Sequence, residues 1–269
     1  MRGLYTAGAL DVLMECGIEF DGVIGVSAGA TFGVNYNSKQ IDRAHRYNIR
    51  FAQNWRYGTM KSLRKSGDLY DVDFCYRELP YELDKWDMDT FYSNPVPFYC
   101  VCTTVDKAEP LYHLLNNRET DMNYIRASAS LPVFSKPVYV EGQRLLDGGI
   151  ADPIPLRFME KQGYTKNLVI LTQPLGYQKK KAQWWLFPFL KKLPAIYKAM
   201  KNRHTLYNGE LSYVKKQEEE GNAFVLRPSK DYRIKHTEHD TARLEMQYQL
   251  GRADMEAALP QLLGFLNRN

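Results

Sequence analysis

The sequence predicts an α/β protein with a mainly parallel sheet covered on both faces by helices. Short apolar runs at Val23-Ile24, Pro97 to Val105, Asn167 to Thr172 and Ala223 to Arg227 have strand length and alternate with stretches of helical character. That alternation is what builds a parallel sheet buried on both sides. The first run leads directly into Gly25-Val26-Ser27-Ala28-Gly29 and then Ala30, Thr31, Phe32 and Gly33, which reads as a strand turning sharply into a helix. A length of 269 residues, 44% hydrophobic and 25% charged, is ordinary globular composition and enough for one substantial core.

Taken in order, Leu4 to Cys16 has Leu4, Ala7, Leu10, Leu13 and Met14 at helical spacing and predicts an amphipathic helix, with Gly17 as its C-terminal cap. Ile18 to Ile24 leads into the sharp turn, and Gln40 to Asn54 is expected to be helical. Tyr57 to Asp89 is mixed and polar, is broken by Leu79-Pro80, and receives no assignment. Pro97 to Val105 is a buried strand ended by Asp106-Lys107, and Arg126 to Leu131 a short helix of small residues packed closely against something and stopped by Pro132. Val138-Tyr139-Val140 and Gln143 to Leu146 flank Glu141-Gly142 as a hairpin. Thr241 to Leu266 is strongly helical. The expected organisation is a catalytic core over 1–172 and a mainly helical extension over 173–269 packed on it.

Two short motifs carry chemistry. A serine between two glycines at a strand–helix junction has the form of a nucleophile elbow. The turn is expected to be too tight for a Cβ at Gly25 or Gly29, and the following helix to aim its N–H groups at the Ser27 hydroxyl. Asp147-Gly148-Gly149 leaves the hairpin. Alone it is an ordinary turn; beside an elbow serine, Asp147 becomes a candidate base whose glycines let the backbone come close.

These two motifs, in this order, resemble the patatin-like phospholipase family, whose members use a Ser–Asp dyad without histidine. Met1 to Leu10 is similar to the segment just after that family's glycine-rich oxyanion motif, and Ala127-Ser128-Ala129-Ser130-Leu131-Pro132 to the stretch before its catalytic aspartate. Leu171 to Tyr177 and Arg203 to Asn208 are similar to a bacterial branch. The resemblance implies a three-layer α/β/α sandwich, Ser27 as nucleophile, Asp147 as proton acceptor, and an oxyanion site using Ala28 and the N-terminal loop, with Arg2 and Gly3 supporting it. It implies a serine acyl hydrolase acting on lipid or lysophospholipid esters, with no cofactor and no metal. The family's Gly-Gly-Gly-x-Arg-Gly motif, preceded by a strand, is represented only by Arg2 and Gly3. The expectation is that the rest is encoded upstream of Met1; a protein truly without it would fold and be nearly inactive, since one oxyanion donor is worth about 100- to 1,000-fold in rate.

Two rivals stay open on the sequence. An α/β-hydrolase triad would need a histidine after Asp147, and His204, His236 and His239 are available, but only 26 residues precede Ser27 where that fold places several strands. His45, His113 and the other three are expected to be surface or structural. The second rival is a lipid-binding scaffold on an inactive hydrolase fold.

The positive charge is local. Between Leu175 and Gly209 there is no Asp or Glu, and the eight cations there (Lys179, Lys180, Lys181, Lys191, Lys192, Lys198, Lys201 and Arg203) exceed the whole chain's net charge of +5. Among them lies Trp184-Trp185-Leu186-Phe187-Pro188-Phe189-Leu190, a composition suited to a membrane interface. Peripheral contact with anionic bilayers through Lys179 to Lys192 is one expectation; aromatics packed on the core with lysines in water is the other. No recognition motif supports nucleic acid binding. No run of about 18 apolar residues occurs, so no bilayer-spanning segment is expected, and the first residues do not read as a secretory signal. Cys16, Cys75, Cys100 and Cys102 lack metal-ligand spacing and read as buried free thiols in a reducing cytoplasm.

Overall fold

The computed structural model describes residues 1–267. Helix α1 (Leu4–Glu15) ends as expected, with the Gly17 N–H returning to Met14 O at φ 64°. It is not amphipathic in its setting: Leu4, Tyr5, Ala7, Gly8, Ala9, Asp11, Val12 and Leu13 are all buried. The reason is the C-terminal helix α9 (Thr241–Leu266), which crosses α1 at Gly8 and Gly251. A Cβ on Gly251 would stand 2.0 Å from Tyr5 O, and one on Gly8 2.2 Å from Tyr248 O, so only glycines let these backbones meet.

Strand β1 (Val23–Val26) pairs parallel with β2 (Phe98–Thr104), Val26 lying beside Val101. Strand β3 (Pro110–Leu114) pairs antiparallel with β2 from Tyr99 to Thr103. Strand β5 (Gln143–Asp147) is also antiparallel to β2, Asp147 lying beside Cys102, and β4 (Val138–Val140) closes that edge as the other arm of the expected hairpin. Because β3 covers one edge of β2 along its whole length, β1 and β5 must share the other edge. They run toward each other and stop at neighbouring rungs, Val101 and Cys102. Strands β6 (Asn167–Ile170) and β7 (Ala223–Leu226) form a separate parallel pair.

The sheet is therefore mixed, where a mainly parallel one was expected. Strand β3 escaped notice in the sequence, and the hairpin arm β5 enters the main sheet against the direction of β1. That reversal is what sets the ends of β1 and β5 head to head.

Helices cover both faces. Phe98, Cys100 and Cys102 pack against α2 (Ala28–Asn37) and α6 (Asp121–Ser128). From the opposite face Tyr99 meets Phe158 of α7 (Leu156–Lys161), and Leu146 and Ile150 meet Leu190 and Ile196, the latter on α8 (Pro194–Glu219). Helix α3 (Arg43–Phe51) is shorter than expected, starting after Asp42 adopts a left-handed φ of 64°. The unassigned stretch folds as α4 (Met60–Ser66), a π-helical turn (Phe74–Leu83) and the start of α5 (Met88–Ser93); Tyr57, Phe74 and Leu79 join Phe32 and Tyr47 in one core cluster.

One expectation about side chains is corrected, and the other divides between its two readings. Cys100 and Cys102 are buried, but Cys16 is exposed and Cys75 only half-buried. In the basic stretch, Trp184–Leu190 forms a short 3-10 turn, in which Leu190 is buried and Phe187 packs on Tyr197 while Trp184 is 81% and Phe189 68% exposed. Among the described residues no helix is long and apolar enough to cross a membrane.

Candidate active site

Ser27 stands where β1 becomes α2, at φ 55° and ψ −117°. A non-glycine residue there costs about 1–3 kcal/mol and persists only where its surroundings force it. Ala30 N and Thr31 N both donate to Ser27 O at 3.1 Å, so the helix starts directly at the serine. Gly25 is required: its Cβ would lie 2.5 Å from Ala30 N. Gly29 is not, because a Cβ there would meet nothing within 4 Å. The expectation that both flanks must be glycine therefore fails on the helical side, where the chain has already turned outward. Among the described residues no protein acceptor takes the Ala28 N–H, which stays at the positive end of α2.

Asp147 arrives from the opposite direction. Its Oδ2 accepts the Ser27 hydroxyl at 2.7 Å across 120 residues of sequence, and its Oδ1 accepts Gly149 N–H at 2.8 Å. Its backbone is tied on both sides, N–H to Ser130 O at 2.9 Å and carbonyl to Thr103 Oγ1 at 2.8 Å. Gly148 is forced by close packing, since a Cβ would stand 2.2 Å from Val101 O. At 2% exposure, burial pushes the Asp147 carboxyl above the usual carboxylate range, opposed by the Ser27 hydroxyl, the Arg203 charge and the Gly149 N–H.

Sequence reasoning missed the residues that hold this pair. Ser128, at the end of α6, accepts the Ser27 N–H on its Oγ at 2.9 Å, while Ser130 binds Asp147; the Ala-Ser-Ala-Ser run thus clasps both halves of the site. Its small-residue pattern was the available signal. Arg203 of α8 donates Nε to Gly149 O. Of the remaining motif residues, Gly3 sits at the start of α1 against Ala28 and Phe32, and Arg2 donates Nε to Ile234 O at 2.9 Å.

Ser27 and Ala28 open on a cavity of about 160 Å³ walled largely by apolar side chains, among them Phe32, Tyr57, Leu79 and Leu131, with His236 on its wall. Among the described residues no histidine nitrogen bonds to Ser27 or Asp147. His45 sits between Asp42 and Glu245, His113 binds Asp121, and His239 contacts Ala52 O. Nor do three His, Cys, Asp or Glu side chains converge as a metal cluster among these residues.

Comparison with known proteins matches residues 1–159 to the family described as patatin-like phospholipase and residues 193–267 to a domain of unknown function, DUF6363. The chain is 31% identical over 179 residues to the uncharacterized protein YjjU of Escherichia coli (strain K12), covering 64% of this chain and 49% of YjjU. It is 28% identical over 177 residues to Lysophospholipase nte1 of Aspergillus fumigatus and to that of Aspergillus terreus, in each case covering 60% of this chain and 10% of the relative. The chain thus spans about half of YjjU and a tenth of the fungal proteins.

Proposed function

Because this chain belongs to the patatin-like phospholipase family, we propose that it is a lipid acyl hydrolase acting on lipid or lysophospholipid esters through a Ser27–Asp147 dyad and an acyl-enzyme. The observation that carries this reading is the 2.7 Å hydrogen bond from the Oγ of Ser27, a residue lining an apolar cavity, to the buried carboxylate of Asp147. The fungal relatives are named lysophospholipases, which supports the substrate class.

In the proposed reaction Ser27 Oγ attacks the ester carbonyl carbon as its proton passes to Asp147 Oδ2. The Ala28 N–H at the start of α2 stabilises the oxyanion, with the loop ending in Arg2 and Gly3 contributing further. Collapse of the tetrahedral species breaks the ester C–O bond, and the leaving oxygen takes the proton from Asp147. Water then repeats the sequence: its proton goes to Asp147, its oxygen to the acyl carbon, and Ser27 recovers its proton. An ordinary carboxylate of pKa about 4 is a weak base for this task, and burial of Asp147 supplies the upward shift the chemistry needs.

The proposed organisation keeps a catalytic core over 1–172 and a helical extension over 173–269; the two separate family matches and the packing of α9 on α1 support it. Unpaired thiols suit a cytoplasmic setting. Exposed Trp184 and Phe189 beside Lys179 to Lys192 support peripheral contact with an anionic bilayer.

The test is fatty acid release from lysophosphatidylcholine by the full-length protein. Ser27→Ala and Asp147→Asn are each expected to lower kcat by at least about 1,000-fold. Undiminished release from either variant contradicts the dyad.

A further inference from the structure

The charges of Arg203 and Lys179 act on Asp147 and that of Arg2 acts on Lys179, and none of the three side chains lines the apolar cavity. Arg203 is fixed by its Nε hydrogen bond to Gly149 O, two residues past Asp147. Its Nη2 and Asp147 Oδ1 each lie 3.1 Å from the position a Gly149 Cβ would take, so the guanidinium and the carboxylate flank the same point. Lys179 is held through its backbone, donating N–H to Asn208 Oδ1 at 2.8 Å and accepting from Asn208 Nδ2 at 3.2 Å, with its ammonium 5.0 Å from the centre of the Tyr207 ring. Arg2 reaches His236, Nη1 to Nε2 at 3.5 Å.

The three charges act on one another. Burial, Arg203 and Arg2 bring the Lys179 ammonium down to about 8, and burial with the same cations brings His236 to about 4. Among the described residues none of the three forms an ion pair with a carboxylate side chain. Glu210, within electrostatic reach of Arg203, is engaged elsewhere: it accepts the Ile154 N–H at 2.9 Å, and burial and the Asp152 charge hold its carboxyl above the usual range. The built-in charge beside Asp147 is therefore in positive excess, an arrangement suited to a planar or tetrahedral oxyanion.

Chemistry fixes which end of a substrate meets this charge. If Asp147 takes the proton from Ser27, the same carboxyl must hand it to the leaving oxygen. The acyl chain then lies in the Ser27 cavity and the leaving alcohol on the Asp147 side, where the cations are. We propose that Lys179 and Arg203, with Arg2 beside them, form a subsite for a phosphate oxyanion: the headgroup phosphate of a lysophospholipid whose acyl chain occupies the cavity. This rests on the dyad reading and adds a preference for phosphate-bearing leaving groups over neutral glycerides.

The test compares kcat/KM for a short-chain lysophosphatidylcholine and a monoacylglycerol of the same chain, both below their aggregation concentrations so that adsorption to a lipid surface does not enter. In Lys179→Gln the ratio of the two is expected to fall by about tenfold or more, and in Lys179→Arg to stay within about threefold of the parent. A ratio that Lys179→Gln leaves unchanged, or equal loss on both substrates, overturns the subsite while hydrolysis of the neutral ester keeps the dyad standing. Inorganic phosphate distinguishes the source of the anion. If it inhibits neutral-ester hydrolysis by the parent while the substrate ratio is flat across the variants, the cations take free phosphate and the headgroup assignment falls. A parent that hydrolyses neither ester defeats the dyad reading and this proposal with it.

Discussion

The amide of Ser27 is held by the hydroxyl of Ser128 at 2.9 Å, so the residue proposed as nucleophile is positioned by a side chain 101 residues away. Ser128 is fully buried, and removing its hydroxyl leaves that amide without a partner at a strained point of the backbone. Ser128→Ala is expected to lower kcat about tenfold or more with little change in KM, from a loss of roughly 1–3 kcal/mol. Ser128→Thr, which keeps the oxygen, should recover most of it. Steady-state hydrolysis of a soluble ester checks both; a kcat equal to the parent's in the alanine variant contradicts the positioning role.

The two glycine pairs make opposite predictions. Gly148→Ala places a methyl 2.2 Å from Val101 O and is expected to destabilise by about 2–4 kcal/mol, read as a fall in Tm. Gly29→Ala meets open space inside a helix and is expected to stabilise by up to about 1 kcal/mol. Equal effects at the two sites would refute the packing described for the turns.

Asp147 must be ionised to act as a base, and burial raises its pKa, so kcat/KM should climb with pH through a midpoint above the ordinary carboxylate value of about 4. The Lys179 charge opposes that rise, so Lys179→Met should move the acid limb to still higher pH. A pH profile of neutral-ester hydrolysis measures both; a limb at or below about 4, or a downward shift in the variant, counts against the assignment.

Glu210 binds Ile154 N–H at 2.9 Å and so ties α8 to the segment following Gly149. Burial and the Asp152 charge raise its carboxyl to about 8. A raised folded-state pKa contributes stability that is complete below the ordinary value of 4.5 and is lost as pH rises from there through about 8. Thermal stability should therefore decline as pH rises from about 4.5 to about 8 in the parent, and decline less over that range in Glu210→Gln. Parallel curves would show that the pair does not couple to folding.

Membrane contact predicts that the double variant Trp184→Ala, Phe189→Ala co-sediments less with vesicles containing anionic lipid, and that added salt weakens binding of the parent. Both follow from an interface built of exposed aromatics and lysines. Unchanged sedimentation excludes the segment.

Much of the site was legible because its chemistry lies in short local patterns: Gly25 to Gly29 marks a forced turn, and Asp147 to Gly149 a backbone that packs tightly. What stayed hidden depends on sequence separation. Ser128, Arg203 and Lys179 lie from 101 to 176 residues away from Ser27 in sequence, and no spacing rule joins them. The sheet's mixed direction was hidden for a related reason, because an apolar run does not state which way its neighbour runs. Helix α1 read as amphipathic because Gly8 and Gly251, which let α9 bury its second side, look like ordinary glycines until the helices cross.

The central claim is that Ser27 carries the acyl group and Asp147 takes its proton. Mass spectrometry of the full-length protein after exposure to a fluorophosphonate tests it directly. The prediction is one adduct, on the peptide containing Ser27, formed at least about 100-fold more slowly in Asp147→Asn. An adduct on another residue, or equal labelling rates in the parent and Asp147→Asn, contradicts it.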